Sequence, residues 1–222
     1  DTTAGRAGEG TMRNLELKVR CRDERDLDAM AARAAAGGAA FVRALGQRDT
    51  YFAAPRGRLK LREWWREPAP EGAPAPVAAD AGDEFEAAPA GAALIAYARP
   101  DDAGSRLSDY LICPVAEAGP LRAALARSVG TRVVVEKRRV LYRYGRTRIH
   151  LDRVAGLGAF VELETLLDGE DEAGPDALAE HRAVIALLGL DRLPAVAGSY
   201  ADLLAESAPG RPGADGQASD ER

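Results

Sequence analysis

An α+β fold is predicted for this chain: an antiparallel sheet curved around a charged interior, with helices packed on its outer face. Three observations predict it. Several segments alternate apolar and charged residues with period two, the mark of a strand with two unlike faces. Turn signals such as Pro55-Arg56-Gly57 and Gly156-Leu157-Gly158 join such segments at hairpin spacing. Ala-rich stretches of helical spacing lie between groups of them and supply cover for the apolar outer face.

The 222 residues suit one domain with a real core. Of the 46% hydrophobic residues many are small, since alanine fills 46 positions and aromatics make up only 5%. No apolar run reaches the roughly eighteen residues of a spanning helix. Asp1–Gly10 has no apolar stretch of the kind a secretory signal needs, and Met12 is a candidate native start. Cys21 and Cys113 make neither a zinc set nor a disulfide framework. A soluble, cytoplasmic protein is the expectation. The formal net charge of -5 tells less than the identity of the cations: 27 of the 30 basic residues are Arg, leaving only Lys18, Lys60 and Lys137. Where Arg has replaced Lys so widely, a surviving Lys marks a place for a compact ammonium.

In chain order, Asn14–Arg20 is a strand with both signs of charge on its polar face. Asp23-Glu24, followed by Asp26 and Asp28, opens a helix predicted to run to about Leu45, with Gly37-Gly38 as a break. Gln47–Phe52 and Arg58–Trp64 are strands, and Arg58, Lys60 and Arg62 share one face of the second. Residues 66–92 are Pro, Ala, Gly and acid with hardly a large apolar side chain, which reads as a long, mobile loop. Leu94–Arg99 and Arg106–Cys113 form another strand pair, and Ala116–Ser128 a helix. The next three strands carry the clearest pattern. Arg132–Tyr142 has Lys137 and Arg139 on one face, Arg146–Val154 has Arg148, His150 and Asp152, and Ala159–Leu167 has Phe160, Glu162 and Glu164. Pro175 starts a helix to about Leu188, and Ser199–Ala205 makes a last helical turn. Residues 1–11 and 206–222 are expected to be a disordered leader and tail around a domain spanning 12–205.

The charged faces collect Glu16, Lys18, Arg20, Lys60, Arg62, Arg99, Arg106, Lys137, Arg139, Arg148, Asp152, Glu162 and Glu164, with every Lys of the chain among them. An interior so rich in cations calls for a bound polyanion, because buried unpaired charge is costly. Glu162 and Glu164 with Glu16 supply hard oxygen ligands suited to Mg²⁺ or Mn²⁺. Cations beside a carboxylate-held metal suit phosphoryl transfer. Pattern alone leaves two other readings open. One is a solvated sheet face with surface ion pairs; the other is nucleic-acid binding, disfavoured by the acidic net charge and by the lack of aromatics beside the basic runs.

Asn14-Leu15-Glu16-Leu17-Lys18 resembles the N-terminal ExExK motif of the CYTH superfamily. The resemblance continues through Gln47–Phe52, Arg58–Arg62, Glu136–Arg139, His150–Val154 and Gly156–Glu164, covering about Arg13 to Leu204. It implies an eight-stranded antiparallel closed β-barrel, a triphosphate tunnel holding polyphosphate and a divalent metal, and a plausible homodimer. By the same resemblance Lys18, Lys60, Arg62, Lys137 and Arg139 bind phosphate oxygens, with Arg99 and Arg106 as further cations. Glu16, Glu162 and Glu164 hold Mg²⁺ or Mn²⁺, and Asp152 supports the metal or a cationic neighbour. The catalytic set it implies is Lys18, Lys137, Arg139 and Asp152.

The activity implied first is that of a class IV adenylate cyclase, ATP to cyclic AMP and pyrophosphate. Hydrolysis of thiamine triphosphate, a nucleoside triphosphate or inorganic triphosphate is the alternative, and polyphosphate or diphosphate binding without the family reaction is a third. The partner expected is a small phosphorylated molecule, not nucleic acid or a membrane. One departure matters: the first acid of ExExK is Asn14 here. An amide brings no negative charge and cannot act as a base, which counts against a second metal and favours the cyclase-like branch. Tyr97–Asp101 resembles that branch too. His150 lies in a motif as a candidate ligand contact, whereas His181, Cys21 and Cys113 read as structural. Trp64 and Trp65 either cap the tunnel mouth or pack on the outer face.

Overall fold

Alternation along the chain becomes register between strands. The computed structural model describes residues 14–78, 88–97, 110–167 and 174–207. It forms one antiparallel sheet of β1 (Asn14–Arg20), β2 (Ala40–Phe52), β3 (Arg58–Arg66), β4 (Ala90–Tyr97), β5 (Tyr110–Pro114), β6 (Thr131–Tyr144), β7 (Thr147–Val154) and β8 (Gly158–Leu166). Across the sheet the order is β1-β8-β7-β6-β2-β3-β4-β5. Four helices accompany it: α1 (Glu24–Ala36), α2 (Ala118–Ser128), α3 (Pro175–Leu188) and α4 (Tyr200–Ser207).

The two faces of the sheet separate as the alternation demands. Val140, Tyr142, Ile149, Leu151, Val161 and Leu163 pack on Leu27, Met30 and Ala34 of α1 and Val184 and Leu188 of α3. Further along the same face, Phe52, Leu61 and Ala92 pack on Leu121 and Leu125 of α2. The residues of opposite parity, Asp49, Lys60, Lys137, Arg139, His150 and Asp152, are buried polar groups on the other face.

The first helix is shorter than its composition suggests. Asp23 caps it, its carboxylate accepting from the Arg25 and Asp26 N–H groups at 2.9 and 3.2 Å. It ends at Ala36, Gly38 takes a φ of 90°, and β2 begins at Ala40. The run to Leu45 expected as helix is therefore strand. Burial on both faces explains the missing alternation, since every residue from Phe41 to Gln47 is buried between β6, β3 and the helices.

Within residues 66–92, whose composition predicts a long, mobile loop, the first part carries backbone hydrogen bonds to β2. Glu67 N–H donates to Ala44 O and Val77 N–H to Phe41 O, both at 2.9 Å, so the segment follows the start of β2 where β3 has ended. β4 begins at Ala90, before the Leu94 expected, and Gly91 leaves room for the Trp64 ring. Residues 79–87 lie outside the described residues, as do Arg99, Arg106, the 1–11 leader and the tail beyond Ser207.

The eight-stranded antiparallel sheet is as expected, but hydrogen bonding among the described residues does not close it into a barrel. Among the described residues β1 and β5 are the two ends of the sheet, with no hydrogen bonds between them. The free edge of β1 is already used: Arg20 N–H donates to Pro194 O at 3.0 Å and Val196 N–H to Lys18 O at 2.8 Å. The C-terminal segment occupies the edge groups that strand-to-strand closure would need.

Candidate active site

Register places each charged side chain. Lys18 pairs across to Glu162, Glu162 to His150, Asp152 to Arg139, and Asp49 to Arg62. Each of these residues sits opposite a partner, so the charges form three linked groups.

The first group centres on Asp49, whose carboxylate accepts from Arg62 Nε and Nη2, both at 2.7 Å, and from Lys60 Nζ at 3.2 Å. Burial alone would raise this carboxyl. The charges of Arg62 and Lys60 and the Arg62 hydrogen bonds overcome it and hold Asp49 well below the usual carboxylate range. In the second group Asp152 is fully enclosed, bound bidentately by Arg139 at 2.7 and 2.6 Å, with the Tyr200 hydroxyl donating to it at 2.9 Å. Glu162 forms the third, meeting Lys18 at 3.2 Å and Arg139 at 2.9 Å. Burial would raise Glu162 too, and Lys18, His150 and Arg139 together keep it well below its ordinary value.

The cations are not fully balanced by these acids. Burial and the neighbouring Arg62 bring Lys60 down to about 8, with Asp49 offsetting only part of the effect. Lys137 comes to about 8 for the same reasons, burial first and Arg139 second. Two ammoniums held down by burial and by other cations are a demand for an anion.

A cluster of side chains able to hold a metal ion lies beside Lys18 and Arg139. His150, Glu162 and Glu164 each offer a ligand atom, and these atoms all lie within 4.8 Å of one another. His150 Nδ1 is buried without a hydrogen-bond partner, facing Glu162 at 3.8 Å and Glu164 at 3.7 Å. One orphaned imidazole nitrogen aimed between two carboxylates fits a divalent cation, and the donor set suits Mn²⁺ as well as Mg²⁺.

Of the expected site residues, Lys18, Lys60, Arg62, Lys137, Arg139, Glu162 and Asp152 come together on one face. Glu164 joins His150 and Glu162 in the cluster able to hold a metal ion. Glu16 pairs across to Glu164 but is exposed and stands outside that cluster. Asp152, expected to support a metal or a cation, is taken up by Arg139 and Tyr200. Arg99 and Arg106 lie outside the described residues. Asp49 was missed as a site residue although it shares the parity of Gln47 and Tyr51, a signal the alternation carried. Tyr200 was missed because nothing local to residues 199–205 points its side chain at the sheet.

The CYTH domain family model matches residues 12–200. The chain belongs to the CYTH family. Solved structures agree on the fold. A conserved hypothetical protein from Pyrococcus furiosus is 18% identical with a TM-score of 0.60, covering 86% of this chain and 99% of its own. The PH1819 protein of Pyrococcus horikoshii OT3 is 20% identical with a TM-score of 0.62, covering 87% and 98%. A Vibrio parahaemolyticus protein called a "putative adenylate cyclase" is 17% identical with a TM-score of 0.53, covering 88% and 99%. A search of curated proteins finds no match. No helix among the described residues of this CYTH protein is long and apolar enough to cross a membrane.

Proposed function

We propose that this CYTH protein is a metal-dependent enzyme acting on an organic triphosphate, converting ATP to cyclic AMP and pyrophosphate. One observation carries the reading: Lys18, Lys60, Arg62, Lys137 and Arg139, each buried or half-buried, converge on one face beside the His150–Glu162–Glu164 cluster. Family membership and the Vibrio protein's name support the same class of chemistry.

The cations bind the phosphate chain and neutralise the charge that builds on the departing pyrophosphate. Arg62 and Arg139 are each fixed by a bidentate carboxylate, so their forks are oriented before substrate arrives. Lys60 and Lys137, both brought down to about 8, give up their protons more readily than an ordinary lysine. Only in its neutral form can one of the two accept the ribose 3′-hydroxyl proton as its oxygen attacks the α-phosphorus, becoming an ammonium while the remaining cations hold the phosphate chain and the departing pyrophosphate. A divalent ion held by His150, Glu162 and Glu164 supplies Lewis-acid stabilisation of phosphate oxygens.

Asn14 favours cyclisation over hydrolysis: the acid that a second metal would need is replaced by an amide whose Oδ1 is buried without a hydrogen-bond partner. The test is a mass-spectrometric product assay with ATP, GTP, thiamine triphosphate and inorganic triphosphate, each with Mg²⁺ and with Mn²⁺. Cyclic nucleotide with pyrophosphate is the expected product. Orthophosphate with a diphosphate replaces the reading with hydrolysis, and no turnover of any of the four rejects it.

A further inference from the structure

Beyond the β1 edge, the C-terminal segment turns onto the charged face. Gly198, with a φ of 83°, makes the turn. Ser199 and Asp202 then close a reciprocal cap: Ser199 N–H and Oγ donate to Asp202 Oδ2 at 3.0 and 2.7 Å, and Asp202 N–H donates to Ser199 Oγ at 3.3 Å. Arg58 Nη1 ties this cap to β3, reaching Ser199 Oγ at 3.0 Å and Asp202 Oδ2 at 3.1 Å.

The cap starts α4 at Tyr200, whose side chain is delivered into the site. Its ring packs edge-on against Phe160 at 5.1 Å, and its hydroxyl is anchored on Asp152 Oδ2 at 2.9 Å. Two lysine ammoniums lie on that ring, Lys18 Nζ at 4.6 Å and Lys137 Nζ at 5.2 Å from its centroid. Both distances are within the reach of a cation–π contact.

The geometry points to Tyr200 as a positioning residue for substrate binding, its ring holding the ammoniums of Lys18 and Lys137 where the phosphate chain meets them. The chemistry of the ring is what suits it to this role. Lys18 already meets Glu162 at 3.2 Å and donates to Gly198 O at 3.0 Å. The ring adds a face that orders both ammoniums without adding a further negative charge, and Lys137 in particular keeps its charge for an anion. Ordering two long, flexible side chains before binding removes an entropic cost from the binding step. The inference rests on the reading of these lysines as phosphate ligands.

With only three lysines in the chain, isotope-labelled lysine gives a spectrum in which each side chain is separately visible. Tyr200→Leu is expected to shift the Lys18 and Lys137 side-chain signals far more than that of Lys60, and to weaken binding of inorganic triphosphate by about tenfold in calorimetry. Tyr200→Phe keeps the ring and is expected to retain both the lysine signals and the affinity. Asp202→Ala loosens the cap without touching a lysine and is expected to shift the same two signals by less. It serves if the leucine variant does not fold, and unmoved Lys18 and Lys137 signals there overturn the inference. Equal or tighter triphosphate binding by a folded Tyr200→Leu protein also overturns it, since the ring would then be packing or excluding the anion. If the wild-type protein takes up no triphosphate, the inference falls with the reading of the site. Intact ring-shifted lysines would then mark that failure as distinct from a loss of the Tyr200 contact.

Discussion

Asp49→Asn removes the charge, but almost none of the volume, from the carboxylate that Lys60 and Arg62 share. Asp49 is 3% exposed and receives three hydrogen bonds from the two cations. Breaking one side of a buried ion pair costs about 3–5 kcal/mol, because the remaining charge is left uncompensated. For a chain of this length about 2–4 °C of melting temperature corresponds to each kcal/mol, so a fall of about 6–20 °C is expected. The assay is thermal unfolding at neutral pH, with and without inorganic triphosphate. Triphosphate oxygens are expected to take over part of the missing carboxylate's work, so the ligand-induced rise should be larger in Asp49→Asn than in wild type. Glu136→Gln provides the comparison. Its pair with Arg48 is 39% and 50% exposed, and its loss is expected to cost less than about 1 kcal/mol. An Asp49→Asn protein that melts within about 2 °C of wild type refutes the reasoning.

Further predictions follow from the same geometry. Lys60 and Lys137 sit at about 8 in the folded protein against 10.5 for an ordinary lysine, so the unfolded chain binds more protons once the pH exceeds 8. Apoprotein stability is therefore expected to rise between pH 8 and 9 while triphosphate affinity falls. Above pH 9 Cys21, raised to about 11 by burial and then by Asp26, opposes the stability gain. Melts and calorimetry across that interval check both signs, and trends of the same sign contradict the account. His150→Ala and Glu164→Gln are each expected to weaken Mn²⁺ binding by at least about tenfold, read by electron paramagnetic resonance of the free ion. Thr147 links Glu180 at 2.6 Å to Thr165 at 2.9 Å, and Thr165 meets His181 Nδ1 at 2.8 Å, on the helix-covered face away from the site. Thr147→Val should cost about 1–3 kcal/mol in urea unfolding by leaving this chain unsatisfied, with triphosphate affinity unchanged.

Much of this was legible because a strand's period fixes which face a side chain takes. Lys137 and Arg139, His150 and Asp152, and Glu162 and Glu164 share a face by sequence spacing, and β6, β7 and β8 keep it. The charged face could be read for that reason without knowing how the strands pair. Pairing itself was not legible, and pairing decides what the acids do. Asp152 lies opposite Arg139 and becomes its counter-ion, while Glu16, on the same face as Lys18 and opposite Glu164, stays exposed. β2 was half missed because a strand buried on both faces loses its alternation, and an Ala-rich approach then looks helical. Tyr200 arrives from a capped helix thirty-eight residues beyond Glu162, and only the packing of α4 against Phe160 reveals it.

The central claim is that triphosphate lies on the Lys18–Lys60–Arg62–Lys137–Arg139 face with the metal at His150, Glu162 and Glu164. A crystal structure with Mn²⁺ and inorganic triphosphate, with anomalous scattering locating the metal, tests it most directly. The account predicts an anomalous peak within ligand distance of His150 Nδ1 and both glutamates, with phosphate oxygens against Lys60 and Lys137. Triphosphate bound on the helix-covered face, or a metal coordinated away from His150, contradicts it.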